Sequence, residues 1–276
     1  MYRIAYLTDV GLKRKVNEDA LLVAEACNLF VVADGMGGHD KGEVASRIVV
    51  ESFKQILCAD EDSTVTYCDE GDDDETVPYF DDFDKDSTVA YDDVFEQKSQ
   101  LEKTLNRVIE TSTNKIKTYA KERVLSGQMG TTVVGLYKLK DTESMAIFHL
   151  GDSRAYRIRN KKIEKLTTDH SKYEKMKQSG KYSEKELSKV NRNSITKAIG
   201  NFKVMPLEID YIDLKKEDIF ILCSDGVSDL THAKELLELI ENESKELNKV
   251  VFNIKKLVYE RGAKDNLSII VFKYEA

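Results

Sequence analysis

Apolar residues in this chain fall into short, dense runs that end at polar turns. Leu29 to Ala33 is one such run, rich in β-branched residues, and its composition predicts a buried strand. Asp34 follows, and then three glycines within positions 35–38, where the backbone can turn sharply and approach a ligand closely. From Gly42 to Phe53, apolar residues recur at helical spacing. The pattern therefore predicts a strand, a carboxylate, a glycine loop and a helix.

The same arrangement of an apolar strand with a carboxylate at its end recurs along the chain. Further strands are predicted at residues 2–8 (an edge strand), 20–24, 130–137, 144–150, 155–158, 218–224 and 267–272, and helices at 101–125, 236–240 and 250–259. Five aspartates lie at strand ends: Asp19, Asp34, Asp152, Asp225 and Asp265.

Each of these aspartates alone is typical of an ordinary turn. Together they indicate convergence at one rim of a sheet, where carboxylates would repel one another and raise each other's pKa values unless cations neutralised them. Hard divalent cations such as Mg²⁺ or Mn²⁺ prefer these oxygen ligands. The pattern therefore predicts a site for two or three metal ions.

Glu18 and Arg14 precede the strand at residues 20–24, which should pair with the strand that carries Asp34. Alone, the Glu18-Asp19 pair fits a surface turn. Beside Asp34, it could contribute to the metal site, and Arg14 could lie near a bound anion.

Charge is unevenly distributed over the 276 residues, whose net charge is -8. Residues 59–96 contain 16 acidic residues and one lysine, a net charge of -15, so the rest carries +7. This acidic insert has few aliphatic residues and is predicted to be mobile. It is either a regulatory or docking element or a solvated loop. The basic residues elsewhere are scattered, so no nucleic-acid-binding face is predicted.

The chain has no apolar run of 18 residues and its first residues do not resemble a signal peptide, so membrane insertion is not expected. Its four cysteines, Cys27, Cys58, Cys68 and Cys223, show no CxxC pairing. They are interpreted as reduced thiols of a cytoplasmic protein rather than zinc ligands or disulfide partners.

The ordered set of motifs resembles the metal-dependent Ser/Thr protein phosphatases of the protein phosphatase 2C (PPM) family in its bacterial form. Each block is short, but they follow the family's order over nearly the whole chain outside the insert. The matching blocks are Arg14 with Asn17-Glu18-Asp19, Val32 to His39, Gly130-Thr131-Thr132, His149 to Arg154, Thr168 to Ser171, Ile195 to Gly200, Ser224 to Val227 and Lys264-Asp265-Asn266.

The resemblance implies an α+β fold, a four-layer α-β-β-α sandwich of two antiparallel sheets flanked by helices. It further implies a single phosphatase domain over residues 1–276, interrupted by the acidic insert and by a flap at about 171–193. Two Mn²⁺ or Mg²⁺ ions, with a weaker third, would lie at one end of the sandwich.

The resemblance also implies roles for individual residues. Asp34 would bridge two metals, and Arg14 would bind the substrate phosphate. The other expected metal-site residues are the Gly35 carbonyl, Asp225, Asp265, Glu18 through a water, Asp19 in support, and Asp152 with Asp225 at the third ion. Asn266 and His39 are expected to lie behind these ligands.

The resemblance implies that Arg14, Asp34 and Asp225 serve a metal-activated water that attacks the phosphoryl group directly. Some positions depart from the family pattern. Met36 stands where animal members have a histidine proposed as the general acid, and Arg192-Asn193 in the flap lacks a preceding His-Pro pair.

Three functions are consistent with these residues. The main interpretation is a phosphoserine and phosphothreonine phosphatase that opposes a Hanks-type kinase and acts on phosphorylated proteins. The alternatives are a catalytically silent adaptor that binds phosphoproteins, and a hydrolase of another phosphoester such as a phosphodiester. The retained Asp34, Asp225, Asp265 and Arg14 favour an enzyme over the adaptor.

Overall fold

The computed structural model describes residues 2–37, 41–58, 64–67, 94–125, 128–191, 193–200, 203–243 and 245–275. Within them the strands, numbered in chain order, are β1 Tyr2–Asp9, β2 Asp19–Ala24, β3 Leu29–Met36, β4 Thr64–Tyr67, β5 Gly130–Thr131, β6 Val133–Lys138, β7 Ser144–Leu150, β8 Arg154–Arg159, β9 Lys162–Lys165, β10 Ile199–Gly200, β11 Glu208–Asp213, β12 Ile219–Cys223 and β13 Leu267–Tyr274. The helices are α1 Gly42–Leu57, α2 Val94–Glu122, α3 Lys172–Gln178, α4 Glu184–Leu187, α5 Asp225–Ser228, α6 Ala233–Glu243 and α7 Leu247–Glu260.

The strands form two antiparallel sheets. The first has the order β1-β13-β12-β8-β9, and β1 is an edge strand as predicted. The second runs β10-β5-β3-β6-β7-β11, with β2 paired to β3 and β4 paired to β2. Strands such as β2 and β12 are buried along their whole length, because both faces of each sheet are covered, and this explains their continuous apolar sequences.

Aliphatic and aromatic side chains together fill the space between the two sheets. Phe30 of β3 stacks on Phe272 of β13 with a centroid distance of 4.2 Å, and Phe220 of β12 stacks on Phe272 at 5.1 Å. Aromatic pairs at these distances add to the free energy gained by burial. The contact between Phe30 and Phe272 joins the two sheets face to face.

Helices cover the outer face of each sheet, which confirms the predicted four-layer sandwich. Helices α1 and α2 pack on the second sheet, and α6 and α7 pack on the first. Along α2 the buried stripe recurs every three or four residues, at Leu101, Leu105, Val108, Ile109, Ser112 and Ile116. No helix among the described residues is long and apolar enough to span a membrane.

The acidic insert at 59–96 takes a larger part in the fold than its composition predicts. Its residues Thr64–Tyr67 form β4, which extends the second sheet by pairing with Ala20–Val23 of β2. Helix α2 already begins at Val94, inside the insert. The remaining insert residues, 59–63 and 68–93, lie outside the described residues.

The prediction of four reduced cysteines is wrong for two of them. Cys27 lies in the turn between β2 and β3, Cys58 follows the end of α1, and the two form a disulfide across 31 residues of sequence. The pairing comes from packing α1 along the sheet, a long-range contact that cysteine spacing does not reveal. Cys223 is free and buried, and Cys68 lies outside the described residues.

Candidate metal centre

Acidic side chains from both sheets meet at one rim of the sandwich. Asp19 at the start of β2 lies directly opposite Asp34 of β3 in the strand register. The Ser224 hydroxyl donates to Asp19 Oδ2 at 2.8 Å, which joins the end of β12 in the first sheet to β2 in the second. Asp225, the next residue, lies close enough to Asp34 for its charge to raise the pKa of that carboxyl. The predicted convergence of strand-end aspartates is therefore present.

The electrostatics of this group are those of crowded, dehydrated carboxyls. Burial and then the charge of Asp225 raise the pKa of Asp34 well above its usual value. Burial is also the largest cause that raises the pKa of Asp19 and of Asp152 to about 7 and that of Asp225 to about 6, and neighbouring aspartates add to each shift. Without a cation, these groups hold protons that free aspartates would have lost.

Among the residues that the structure describes, two buried carboxylate oxygens have no hydrogen-bond partner. They are Oε1 of Glu18 and Oδ1 of Asp152. An unpaired buried charge of this kind is costly, and bound cations are a usual compensation. The orphaned oxygens, the raised pKa values and an all-oxygen donor set fit a divalent cation of the Mg²⁺ or Mn²⁺ type.

Glycines bring the backbone close to Glu18. A Cβ atom at Gly35 would lie 2.3 Å from the Glu18 carbonyl oxygen, and one at Gly42 would lie 2.6 Å from Glu18 Oε1. The Gly35 amide donates to the Glu18 carbonyl at 3.0 Å, and Ser46 of α1 donates to the same oxygen at 2.6 Å. The strand-glycine-helix unit predicted from sequence thus holds Glu18 against the start of α1.

Arg14 lies at the edge of the acidic group. Its Nη2 donates to Asp265 Oδ2 at 2.8 Å, and its Nη1 lies 3.4 Å from Glu18 Oε2. The side chain keeps 42% of its exposure, so solvent or a substrate can reach the guanidinium. The hydrogen bond with Asp265 is the largest cause that raises the pKa of Arg14 above its usual value.

Asn266 lies behind these residues and ties three segments together. Its Oδ1 accepts from the Glu18 amide at 2.9 Å, and its Nδ2 donates to the carbonyls of Val10 and Val16 at 3.0 Å each. It thereby fixes both ends of the loop that carries Arg14. His39, the other residue expected in this position, lies outside the described residues.

Asp152 and Asp225 face a second part of the site, a cavity of about 160 Å³. Asp229, which sequence reasoning missed, also lines it. Asp229 lies one helical turn beyond Asp225. The sequence pattern did not predict it, because that pattern concerned aspartates at the ends of strands and Asp229 follows a helix. The remaining lining residues are Arg154, Lys165, Asp169, Ser171, Tyr173 and Glu174.

Arg154 and Asp169 form the wall of this cavity. The guanidinium contacts the Asp169 carboxylate through Nε at 3.0 and 3.1 Å and through Nη2 at 2.7 Å. Burial is the largest single influence on Asp169 and opposes its ionisation, but the hydrogen bonds and charges of Arg154 and Lys165 together lower the pKa of that carboxyl. Arg154 also donates to the Ser228 carbonyl at 3.2 Å and so connects β8 to α5.

The predicted flap at 171–193 lies beside the cavity. It contains the short helices α3 and α4, neither of which has a buried residue. Near its end, Asn193 Nδ2 donates to Asp229 Oδ2 at 2.7 Å. Arg192 lies outside the described residues.

Known proteins resemble this chain in sequence and in fold. The serine/threonine phosphatase stp of Listeria welshimeri is 26% identical over 271 residues, which cover 96% of this chain and 93% of that protein. The crystal structure of the serine/threonine phosphatase Stp1 from Staphylococcus aureus superposes with a TM-score of 0.76 at 26% identity, and the match covers 100% of this chain and 96% of that one.

A structure of the catalytic domain of the serine threonine protein phosphatase PstP in complex with two manganese ions has a TM-score of 0.75 at 23% identity, with 100% and 99% of the two chains covered. At that identity it supports the fold alone. The family model of protein phosphatase 2C matches residues 13–258. Because this match includes most of the chain and all the acidic residues of the site except Asp265, the chain belongs to the protein phosphatase 2C family.

Proposed function

We propose that this chain is a metal-dependent phosphatase that hydrolyses phosphoserine and phosphothreonine in proteins. The observation that carries the proposal is the buried group of aspartates contributed by both sheets, with the half-exposed guanidinium of Arg14 at its edge. The concentrated negative charge needs cations to neutralise it, and the guanidinium of Arg14 can bind phosphate through two parallel hydrogen bonds. Together these features suit phosphoryl transfer to water.

The carboxylates and one carbonyl would hold two Mn²⁺ or Mg²⁺ ions. Asp34, the Gly35 carbonyl, Asp225 and Asp265 would be their direct ligands. Glu18 would act through a water, with its orphaned Oε1 as the acceptor, and Asp19 would support Asp34 from the paired strand.

When bound, the two cations supply a water that loses its proton near neutral pH and acts as the nucleophile. Arg14 binds the phosphate oxygens through parallel N–H donors and neutralises charge that develops on them in the transition state. Burial of the aspartates keeps these interactions strong, because little water screens them. Cys223 is not a nucleophile, since burial raises its pKa to about 12 and keeps it a thiol.

A weaker third ion is proposed in the cavity of about 160 Å³, held by Asp152 and Asp225. The orphaned Oδ1 of Asp152 supports this placement, and Asp229 adds a third carboxylate. Like charges so close together leave the cavity with an unbalanced negative field, which a cation would neutralise.

We further propose that the chain forms a single domain, in which the acidic insert and the flap are insertions. Pairing of β1 with β13 over Tyr2 to Asp9, at opposite ends of the sequence, supports a single unit. Its substrates would be proteins phosphorylated by a Hanks-type kinase. Because such kinases consume ATP, which cells keep inside, the proposed compartment is the cytoplasm.

The proposal is tested by offering the protein three ligands in Mn²⁺: a phosphothreonine peptide, the same peptide without phosphate, and a phosphodiester. Release of phosphate from the phosphopeptide alone supports a Ser/Thr phosphatase. Tight binding of the phosphopeptide without turnover would instead support an adaptor, and preferential cleavage of the diester would support a phosphodiesterase. Asp213→Asn, which changes an exposed carboxylate on β11, should give the same results as the native chain and serves as the control variant.

A further inference from the structure

The loop that carries Asp152 is held by one buried histidine. The His170 amide donates to the Gly151 carbonyl at 2.8 Å, and the Gly151 amide donates to His170 Nδ1 at 3.0 Å. Gly151 has a φ of +121°, and a Cβ there would lie 2.5 Å from Thr132 Cβ, so this turn has little freedom to shift. Its conformation determines where the next residue, Asp152, places its carboxylate.

The same histidine also holds both ends of the flap. It precedes Ser171, the first flap residue, which forms an isolated bridge with Ile195 on the segment that follows the flap. The Thr196 amide and hydroxyl both donate to the His170 carbonyl, at 2.7 and 3.0 Å. Any movement of the flap stems is therefore transmitted to His170, and through it to the turn at Gly151.

The ring is anchored to the second sheet through its other nitrogen. Because the Gly151 amide can only donate, Nδ1 is the acceptor and Nε2 carries the proton. Nε2 donates to Glu208 Oε1 of β11 at 2.6 Å, and Lys197 Nζ donates to the same oxygen at 2.7 Å. Burial opposes ionisation of Glu208, but the hydrogen bonds from Lys197 and His170 lower its pKa to about 2, which keeps this anchor ionised.

Among the described residues, His149, His170 and Glu208 have ligand atoms within 4.8 Å of one another, an arrangement that also resembles a metal site. The hydrogen bonds argue against a metal here. Binding at His170 Nε2 would move the proton to Nδ1, where it would face the Gly151 N–H. The Lys197 ammonium lies 3.2 Å from Nε2 and already supplies a positive charge. His149 Nε2 is 2.9 Å from the Thr168 carbonyl.

We propose that His170 is a positioning residue that couples the flap at 171–193 to the cation site at Asp152. Binding of a divalent cation at Asp152 fixes the Gly151 turn, which through His170 orders the flap stems. By reciprocity, an ordered flap strengthens cation binding at Asp152 to the same extent. This inference rests on the proposed metal-dependent function, since it places a cation at Asp152.

Two variants of His170 separate its contacts. In His170→Asn, Oδ1 takes the place of Nδ1 and still accepts from Gly151, whereas the contact with Glu208 is lost. In His170→Gln, the longer side chain reaches Glu208 but no longer accepts from Gly151. Glu208→Leu breaks the anchor without changing the histidine, and folding should survive because the Glu208 side chain is 46% exposed. The controls are His232→Asn, an exposed histidine, and Glu164→Leu, an exposed partner of Arg157.

The test measures two quantities in the full chain while Mn²⁺ is raised: free Mn²⁺ by its electron paramagnetic resonance signal, and amide hydrogen exchange in peptides from residues 172–191. In the native chain we expect filling of the weakest Mn²⁺ site to slow exchange in the flap. Asp152→Asn should abolish that response. Glu208→Leu and His170→Gln should weaken the weakest site at least about fivefold and should reduce the protection of the flap. His170→Asn keeps the contact with Gly151 and loses the contact with Glu208, as Glu208→Leu does, so it should weaken the site and the protection of the flap to the same extent as Glu208→Leu.

An unchanged weak-site midpoint and unchanged flap protection in both His170→Gln and Glu208→Leu would overturn the coupling. A native chain whose flap does not respond to Mn²⁺ would overturn it as well, even if the chain hydrolyses phosphopeptides. Conversely, a flap that responds in a chain without phosphatase activity would reject the proposed function and leave the coupling in place.

Discussion

Asp19 and Asp34 lie directly opposite each other on the paired strands β2 and β3, and both are buried deeply enough to raise their pKa values. Two carboxyls side by side in a dry site destabilise a fold unless protons or cations neutralise them. The metal-free chain is therefore expected to carry a built-in instability that metal binding removes.

Asp34→Asn should stabilise the metal-free chain while it abolishes activity. The amide has nearly the same shape and is neutral without binding a proton, so it avoids the cost of protonating a buried carboxyl above its usual pKa. We therefore expect the temperature of thermal unfolding in EDTA to rise by roughly 2–4 °C, corresponding to about 1 kcal/mol. Mn²⁺ should then stabilise the variant much less than the native chain. Asp213→Asn is the matched control and should leave both values unchanged. A lower unfolding temperature for Asp34→Asn in EDTA would contradict this.

Stability of the metal-free chain should fall as the pH rises towards neutrality. Asp19 and Asp152 have pKa values of about 7 in the folded chain against a usual 3.8, so the folded chain binds more protons than the unfolded chain between about pH 4 and 7. Stability then decreases with pH across that window. Below about pH 5 the trend is opposed, because carboxyls with lowered pKa values, such as Glu208 at about 2, begin to gain protons on unfolding.

Thermal unfolding in EDTA at pH 5.5, 6.5 and 7.5 measures this effect. The unfolding temperature should be highest at pH 5.5, and saturating Mn²⁺ should remove the trend by holding the carboxylates ionised. Equal unfolding temperatures at the three pH values in EDTA would show that these aspartates do not hold protons in the folded chain.

Arg14→Lys should impair the enzyme although the charge is retained. A lysine ammonium cannot make two parallel hydrogen bonds to phosphate, so we expect kcat/KM to fall about tenfold and inhibition by inorganic phosphate to weaken similarly. Arg14→Ala should lose more. Arg157→Lys, at an exposed ion pair with Glu164, should have no effect. Equal phosphate inhibition in native enzyme and Arg14→Lys would place the phosphate elsewhere.

The Cys27–Cys58 disulfide should contribute measurably to stability. Closing 31 residues of sequence restricts the unfolded chain and is worth about 3.7 kcal/mol in the loop-entropy description. Dithiothreitol should therefore lower the unfolding temperature of the native chain by roughly 7–15 °C. Cys58→Ser should unfold at the lower temperature with or without the reductant, and Cys223→Ser should retain the response. No response of the native chain to dithiothreitol would show that the disulfide is absent.

The features predicted best from sequence were those with a local cause. Leu29 to Ala33 reads as a strand because its residues are apolar and β-branched, and Asp34 follows at its end. The recurrence of aspartates at strand ends predicted that these residues meet, and the ordered motifs identified the sandwich. Sequence periodicity predicted helices at 101–125 and 250–259. The structure has α2 at Val94–Glu122 and α7 at Leu247–Glu260.

The features missed depend on long-range contacts or on another local rule. Cys27 and Cys58 meet because α1 runs along the sheet, and His170 reaches Glu208 across 38 residues of sequence. Asp229 lies one helical turn beyond Asp225, so a pattern of aspartates at strand ends does not include it. Strand β4 was hidden by the charge of its neighbours, since an acidic composition predicts mobility for the whole insert.

The most direct test of the metal-centre assignment is phosphate release from a phosphothreonine peptide by protein stripped with EDTA and then reloaded with Mn²⁺ or Mg²⁺. We predict no activity in EDTA, recovery on reloading, and a loss of at least about 100-fold in both Asp34→Asn and Asp225→Asn, with Asp213→Asn unaffected. Full activity in EDTA, or native activity in both ligand variants, would contradict the assignment of the metal centre to these aspartates.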